Sequence, residues 1–217
     1  MDLIKILIAD DHRIVREGVI TLLANELDIE IIGEAENGRD AIKLALAHKP
    51  DITIMDIGMP VLNGIEAIIQ IRKQIPNARI IALSMHSEHD FIWKAFKAGA
   101  YAYLLKDCAA AELVNAIRQV NSGKKYISED ISDVIIQDFI EHKGQDPDDF
   151  YIPLSDREKE VLQLLAEGKS TRSVAEILFI SNKTVESHRK NIMEKLQIFS
   201  LPELTKYAIR TGLTSLD

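Results

Sequence analysis

Four short apolar segments in the first half of the chain each end in polar or charged residues that a buried strand does not need. Ligands of an open α/β sheet bind outside the carboxyl ends of its parallel strands, so we expect these residues to share one crevice. That crevice would contain three carboxylates, one hydroxyl and one ammonium group, contributed by Asp10, Asp11, Asp56, Ser84 and Lys106. This set of groups suits a cation together with a phosphoryl group.

The three carboxylates predict a magnesium site. Carboxylates that lie a few ångströms apart raise one another's pKa values and repel, so a positive charge must compensate for them. Mg²⁺ is a hard cation, held by one or two carboxylates together with waters and phosphate oxygens. We expect Asp11, Asp56 and the carbonyl oxygen of Gly58 to bind Mg²⁺ directly. Asp10 would hold a water molecule that is bound to the ion.

Asp56 is also the predicted nucleophile of this crevice, attacking a phosphoryl group to form an acyl phosphate. Lys106 would pair with the phosphate, Ser84 would hydrogen-bond one of its oxygens, and the metal would neutralise the charge that develops in transfer. A single polar residue at a strand end is usually a cap or a turn former. Their joint occurrence at four strand ends favours a functional site.

Residues 1–122 supply the elements that must position these groups. Short segments rich in Ile, Val and Leu alternate about five times with longer amphipathic segments. This alternation predicts an α/β fold, a five-stranded parallel sheet that is doubly wound, with helices on both faces. The predicted strands lie near 4–9, 29–35, 52–56, 79–84 and 101–105, and the predicted helices near 13–26, 38–48, 63–75, 89–98 and 109–122. Asn63, with Glu66 three residues later, is a predicted helix start.

The rest of the chain has a different character. Residues 123–153 predict a linker that contains a helix near 129–142, followed by a polar, acidic stretch. Residues 154–217 predict an all-α domain of four helices, the first of which begins with a capping box at 155–158. Helices over 171–178 and 182–196, joined by a tight turn, are typical of a helix-turn-helix unit. The last helix is expected over about 202–211.

Composition limits the class of protein. A chain of 217 residues suffices for two domains, and its net charge is −8. Residues 1–122 carry 13 basic and 17 acidic residues, 123–153 carry 3 and 8, and 154–217 carry 10 and 9. The near-neutral last segment therefore remains compatible with DNA binding. No apolar run approaches the roughly 18 residues of a membrane span, so we expect no membrane association and a cytoplasmic location. The single Cys108 excludes an internal disulfide.

The first 122 residues resemble the receiver domain of response regulators. The resemblance is carried by Ile8-Ala9-Asp10-Asp11-His12, Met55-Asp56-Ile57-Gly58-Met59-Pro60, Asn63-Gly64 and the segment 99–107, which ends in Lys106-Asp107. It implies a flavodoxin-like (CheY-like) fold and Mg²⁺-dependent phosphoryl transfer from a histidine kinase to Asp56. Tyr103 resembles the switch aromatic of this family, which turns inward when Ser84 is drawn toward the phosphoryl group. Ala102 stands where relatives commonly have glycine, a mild departure.

The helix predicted over 182–196 has two different faces. Val185, His188, Ile192 and Leu196 recur at helical spacing and should face the core. The opposite face suits the major groove of DNA, with Lys and Thr for phosphates and Glu, Ser and Asn for base edges. Its predicted DNA-binding residues are Lys183, Thr184, Glu186, Ser187, Lys190 and Asn191.

Residues 154–217 resemble the LuxR-type helix-turn-helix domain of the NarL/FixJ regulators, through the strings at 154–158 and 181–192. The sequence departs from the family pattern at 171–175, where contacts to DNA phosphates could therefore differ. The combined resemblance implies a phosphorylation-controlled transcriptional regulator that binds double-stranded promoter DNA. It further implies self-phosphorylation at Asp56 as the only chemistry. In this family, phosphorylation either relieves occlusion of the recognition helix or promotes a homodimer through the last helix, and the sequence leaves both alternatives open.

Two other hypotheses remain open at the level of sequence. A Mg²⁺-dependent phosphohydrolase with an aspartate nucleophile could use a similar sheet, but such enzymes carry an Asp-x-Asp string after the first strand. This chain has Asp10-Asp11-His12 there. The other hypothesis keeps the fold but assigns control of DNA binding to a partner or ligand rather than to phosphorylation.

Overall fold

A computed structural model of the chain describes residues 3–128, 131–136 and 154–214. The chain forms two compact units. Most of the predicted linker, residues 137–153, lies outside the described residues, as does the second half of its predicted helix. Among the described residues, no helix has both the length and the apolar character that a membrane crossing requires.

The first unit is built on a parallel sheet whose strands follow the order β2-β1-β3-β4-β5-β6. The central strands β3 and β4 are buried along their whole length, as expected for a sheet covered on both faces. The strands are β1 (Ile4–Ala9), β2 (Ile29–Ala35), β3 (Ile52–Asp56), β4 (Ile80–Ser84), β5 (Ala102–Leu105) and β6 (Tyr126–Ile127).

Five helices connect the first five strands and lead to the sixth. Asn37 and Asn63 cap α2 and α3 by accepting hydrogen bonds from backbone amides three residues later, so the predicted start at Asn63 and Glu66 is confirmed. Gly99 ends α4 in a left-handed conformation that suits glycine. The helices are α1 (Arg13–Leu23), α2 (Gly38–His48), α3 (Gly64–Gln74), α4 (His89–Ala98) and α5 (Ala110–Asn121).

The sheet has one strand more than the sequence predicts. After α5 the chain turns at Gly123, which has a φ of 85°. The amide of Tyr126 then donates to the carbonyl oxygen of Tyr101 over 2.9 Å, and residues 126–127 extend the sheet beside β5. A two-residue strand leaves no periodic pattern in a sequence, which is why this segment was predicted to be part of the linker. Residues 131–136 are helical.

The second unit consists of helices in the part of the chain that the structure describes. Ser155 and Glu158 form the predicted capping box at the start of the first helix. The helices share one apolar core, which includes Leu162, Val174 and Ile192. They are α6 (Asp156–Ala166), α7 (Thr171–Leu178), α8 (Asn182–Leu196) and α9 (Leu201–Arg210).

Candidate functional sites

The ends of β1 and β3 bring the predicted carboxylates together. These strands are neighbours in the sheet, Asp56 is the last residue of β3, and Asp10 and Asp11 follow β1. Asp10 and Asp56 are 2% and 3% exposed. Ligand atoms of Asp10, Asp11, His12 and Asp56 all lie within 4.8 Å of one another. The convergence expected from the strand ends is therefore present.

Lys106 connects two of these carboxylates. Its Nζ lies 2.8 Å from Oδ2 of Asp10 and 2.8 Å from Oδ2 of Asp56. Burial by itself would lower the pKa of Lys106, but the two carboxylates outweigh burial and raise it. Burial raises the pKa of Asp56, and the hydrogen bond from Lys106 offsets only part of that effect. The ammonium group thus favours the ionised form of Asp56 inside a site that otherwise disfavours a charge.

The loop after β3 fixes the position of Asp56. The amide of Gly58 donates to Oδ1 of Asp56 over 3.1 Å, while the amide of Gly64 donates to the carbonyl oxygen of Ile57. A Cβ atom at position 64 would collide with the backbone carbonyl of Asp56. Gly64 therefore allows α3 to start directly against the strand end that carries Asp56.

Ser84 is the last residue of β4, Tyr103 lies within β5, and both contact the backbone of His86. The hydroxyl of Tyr103 donates to the carbonyl oxygen of His86 over 2.7 Å, and the amide of His86 donates to Oγ of Ser84 over 3.0 Å. Tyr103 is fully buried, and this burial raises its pKa to about 12. The ring of Tyr103 points inward, and its hydroxyl is bonded to the loop that follows Ser84.

Arg16 and His86 contact this site and were not singled out from the sequence, whereas His12 was, as part of the string Asp10-Asp11-His12. Arg16 is buried in α1, and its Nη1 donates to the backbone carbonyl of Asp10 over 2.7 Å. His12 precedes α1, and its amide donates to Oδ1 of Asp10 over 2.8 Å. His86 supplies both backbone groups that link Ser84 to Tyr103. Two of these contacts use backbone atoms, which leave no signal in residue types, whereas Arg16 interrupts an otherwise ordinary amphipathic helix.

The donor set fits Mg²⁺. The cluster offers oxygens from three carboxylates, which are the ligand type that Mg²⁺ prefers. Asp11 is less buried than the other two, with 27% of its side chain exposed, so solvent can reach this side of the cluster. A bound Mg²⁺ retains several waters, and an opening to solvent accommodates them.

The second candidate site is the outer face of α8. Val185 and Ile192 are buried, whereas His188 and Leu196 are partly buried. The predicted separation into an inner and an outer face is therefore present, although His188 and Leu196 only partly face the core. Five of the predicted DNA-binding residues are exposed and Thr184 is partly exposed; the exposed ones are Lys183, Glu186, Ser187, Lys190 and Asn191.

Several polar groups on this face already have partners within the domain. The hydroxyl groups of Thr184 and Ser181 lie 2.8 Å apart at the start of α8. Ser187 donates to the carbonyl oxygen of Lys183, and Oε1 of Glu186 accepts from Thr171 over 2.8 Å. The bond between Thr171 and Glu186 links α7 to α8, and no pattern in the sequence indicates it.

Two family models match the chain in the order of the two units. The model described as the response regulator receiver domain matches residues 6–118. The model described as bacterial regulatory proteins of the luxR family matches residues 152–208. The first match contains every predicted residue of the carboxylate cluster, and the second contains all of α8.

Curated relatives match over almost their full length. The oxygen regulatory protein NreC of Staphylococcus haemolyticus is 37% identical over 214 residues, which cover 96% of this chain and 98% of the relative. The uncharacterized transcriptional regulatory protein YhcZ of Bacillus subtilis is 38% identical over 209 residues, covering 96% and 97% of the two chains.

Solved structures support the same architecture. A LuxR-family two-component response regulator from Aurantimonas sp. is 37% identical, with a TM-score of 0.62 over 64% of this chain and 99% of its own. The response regulator RcsB in complex with DNA is 28% identical, with a TM-score of 0.60 over 95% of this chain and 98% of its own. The signal receiver domain of NarL from Mycobacterium tuberculosis is 31% identical, with a TM-score of 0.56 over 57% of this chain and all of its own.

Proposed function

Because the chain belongs to the response regulators that combine a receiver domain with a LuxR-type DNA-binding domain, we propose that Asp56 is the phosphoacceptor through which its activity is controlled. The protein is a DNA-binding regulator of transcription rather than a classical enzyme. We place this activity in the cytoplasm.

The proposed reaction takes place at the carboxylate of Asp56. One of its oxygens attacks the phosphorus atom of a phospho-donor, an O–P bond forms, and the bond between phosphorus and the donor's leaving atom breaks. In the cell the donor is the phosphohistidine of a cognate sensor kinase, and in the test tube acetyl phosphate can replace it. Asp56 must be ionised to attack, and Lys106, at 2.8 Å, favours that form.

Lys106 and Ser84 are proposed to receive the transferred group. Phosphorylation removes the negative charge of the Asp56 carboxylate and places negative charge on the phosphate oxygens. The ammonium group of Lys106 then pairs with these oxygens. The Ser84 hydroxyl offers a hydrogen bond to another of these oxygens. Mg²⁺, held by Asp11, Asp56 and the Gly58 carbonyl, with Asp10 holding a bound water, would neutralise charge on the phosphoryl group during transfer.

Tyr103 is proposed to report the phosphorylation state to the rest of the molecule. A phosphate adds about −1.5 to −2 charges, enough to bias an element that has two nearly equal conformations. Movement of Ser84 toward the phosphate would act on the His86 backbone, which Ser84 and Tyr103 share. Strand β5 and helices α4 and α5 are then the surface that changes.

DNA binding is assigned to α8 and dimerisation to α9. The exposed face of α8 would enter the major groove, with Lys183, Lys190 and Thr184 on phosphates. Glu186, Ser187 and Asn191 would contact base edges. A homodimer of the phosphorylated form would bind two half-sites related by two-fold symmetry. Structures of RcsB include two dimers bound to two DNAs, and this precedent from a relative supports the dimer.

The observation that carries the proposal is the position of Lys106 between Asp10 and Asp56 at the carboxyl edge of the sheet. The test is incubation of the purified chain with Mg²⁺ and acetyl phosphate. We expect one phosphoryl group per chain, absent in Asp56→Asn, together with dimer formation and tighter binding to promoter DNA. Sustained multiple turnover would favour a phosphohydrolase. Unchanged DNA affinity and oligomeric state after phosphorylation would favour control by a partner or ligand.

A further inference from the structure

The hydrogen bond between Thr171 and Glu186 lies at the proposed DNA-binding face. Thr171 is the first residue of α7, and its hydroxyl donates to Oε1 of Glu186 on α8 over 2.8 Å. Glu186 is exposed and shares the outer face of α8 with Lys183 and Lys190. A flexible acidic side chain is therefore held in one place on the surface that would enter the major groove.

A carboxylate accepts hydrogen bonds but cannot donate them. In the major groove, guanine and thymine present acceptors to such a group, whereas cytosine presents its N4 amino donor. Adenine also carries a donor, but an acceptor lies beside it. A fixed carboxylate therefore discriminates in favour of cytosine and against the acceptor-rich bases.

We propose that Thr171 is a positioning residue that makes Glu186 selective for cytosine at one position of each DNA half-site. This inference rests on the proposed function of α8 in DNA binding. The Thr171 hydroxyl occupies one carboxylate oxygen of Glu186 and leaves the other available to an amino group. The two helices thus present an oriented acceptor rather than a mobile one.

Without the Thr171 hydroxyl, the carboxylate of Glu186 has other partners. Lys190 is four residues further along α8 and Lys183 three residues before, which are the spacings at which side chains on a helix meet. Pairing with either lysine would turn the carboxylate away from the base edge and neutralise a cation proposed to contact phosphate. Restraining one flexible side chain corresponds to roughly a two- to tenfold change in affinity.

The experiment uses the full chain, phosphorylated with acetyl phosphate and Mg²⁺, and selects sites from a pool of randomised double-stranded DNA. Thr171→Val removes the hydroxyl but keeps the shape, Thr171→Ser keeps a hydroxyl, and Glu186→Gln replaces the carboxylate with an amide. Thr21→Val is the matched control, because the Thr21 hydroxyl donates only to a backbone carbonyl within α1.

We expect the unsubstituted chain to enrich cytosine at one position per half-site. Thr171→Val should lose that enrichment and bind the selected site roughly two- to tenfold more weakly, with preferences at other positions unchanged. Thr171→Ser should restore the enrichment, Glu186→Gln should shift it toward adenine, and Thr21→Val should change nothing. All variants should unfold at the temperature of the unsubstituted chain.

The inference is overturned if Thr171→Val keeps the base preference and affinity of the unsubstituted chain. It is also overturned if the variant loses all preferences equally together with thermal stability, because the bond would then serve folding alone. Failure of the unsubstituted chain to enrich any sequence would instead contradict the proposed function, and the two failures are therefore distinguishable.

Discussion

The two domains keep their functional charges in opposite environments. In the receiver domain, Asp10, Asp56 and Lys106 are buried at the carboxyl edge of the sheet. In the DNA-binding domain, Lys183 and Lys190 are exposed on α8. Both regions carry the polar side chains to which a function is proposed, but only in the first are most of them shielded from solvent.

Because of this difference, substitutions at the proposed functional residues should change the stability of the receiver domain but have little effect on that of the DNA-binding domain. A buried charge must be paired, because removing its partner leaves an uncompensated charge in a poorly solvated interior. An exposed charge is stabilised by water whatever its neighbours are. The receiver site should therefore tolerate few changes without loss of stability, whereas α8 can change its DNA contacts at little cost. Matched substitutions in the two domains test this contrast.

The largest difference is expected from the same lysine substitution in the two domains. Lys106→Met removes the cation between Asp10 and Asp56 and should lower the free energy of unfolding by about 3–5 kcal/mol. Lys190→Met removes an exposed charge whose nitrogen lies 3.7 Å from a carboxylate oxygen of Glu194, and this change should have little effect on stability. Urea unfolding of both variants at neutral pH without Mg²⁺ measures the difference.

Mg²⁺ should partly reverse the loss of stability caused by Lys106→Met. Mg²⁺ can replace the missing positive charge beside the carboxylates, so it should stabilise Lys106→Met by more than it stabilises the unsubstituted chain. Equal and small losses in both lysine variants would show that burial does not distinguish the two sites, and the contrast between the domains would fail.

Glycine substitutions should show the next largest difference. Gly64→Ala places a Cβ against the carbonyl of Asp56 and should cost about 2 kcal/mol of stability and slow phosphorylation, because the acceptor is displaced. Gly168→Ala meets no atom within 4 Å and suffers only from its left-handed φ of 78°, a cost of about 1 kcal/mol, with DNA binding retained. If Gly64→Ala phosphorylates at the normal rate, the close approach of α3 does not position Asp56.

The receiver site was largely predictable because its residues follow strands. Strand ends converge by topology, so the sequence suffices to place the carboxylates, Ser84 and Lys106 together. The structure brings Asp10, Asp11 and Asp56 within one cluster, as predicted. The direct contact of Lys106 with both Asp10 and Asp56 was not predicted, because topology gives the common edge of a sheet but not individual atomic partners.

Contacts made by backbone atoms or between distant polar residues could not be predicted. Strand β6 is too short to show a period of two, and His86 acts through its amide and carbonyl. The bond between Thr171 and Glu186 joins residues 15 positions apart on different helices. Helical periodicity indicates which face of α8 is exposed, but it does not indicate which neighbouring helix supplies a hydrogen-bond donor to that face.

Removal of a single hydroxyl group from each domain should produce a smaller difference in stability between the two variants. Tyr103→Phe leaves the partly buried carbonyl of His86 without the Tyr103 hydroxyl and should cost about 1 kcal/mol. It should also reduce the gain in DNA affinity on phosphorylation without changing how much phosphate Asp56 accepts. Ser187→Ala removes an exposed hydroxyl bound to the Lys183 carbonyl, and its stability should change by less than about 0.5 kcal/mol.

Thermal unfolding, acetyl phosphate labelling and DNA titration together measure both hydroxyl variants. A normal increase in DNA affinity for Tyr103→Phe would contradict the role of Tyr103 as a reporter of phosphorylation. A loss of stability in Ser187→Ala as large as that in Tyr103→Phe would contradict the contrast in burial.

The smallest difference concerns two buried carboxyl groups whose pKa values shift in opposite directions. Burial raises the pKa of Asp56 despite Lys106. Burial acts the same way on Glu158, but the ammonium of Lys195 at 2.6 Å and the amide of Ser155 outweigh it and lower the pKa. The first carboxyl belongs to the proposed phosphoacceptor, and the second belongs to the capping box of α6.

These shifts predict opposite effects of pH on stability. Folded Asp56 keeps its proton to a higher pH than the unfolded chain, so its contribution to stability falls as pH rises from about 4 through the raised pKa. Folded Glu158 loses its proton at a lower pH, so its contribution is present above about pH 4.5 and is lost as pH falls through the lowered pKa. Without Mg²⁺, the stability of Asp56→Asn relative to the unsubstituted chain should therefore rise as the pH increases from about 4. The relative stability of Glu158→Gln should instead fall as the pH increases through the lowered pKa to about 4.5. Urea unfolding across this range measures the stability of both variants. If their relative stabilities change with pH in the same direction, the two buried carboxyl groups do not differ in the way proposed.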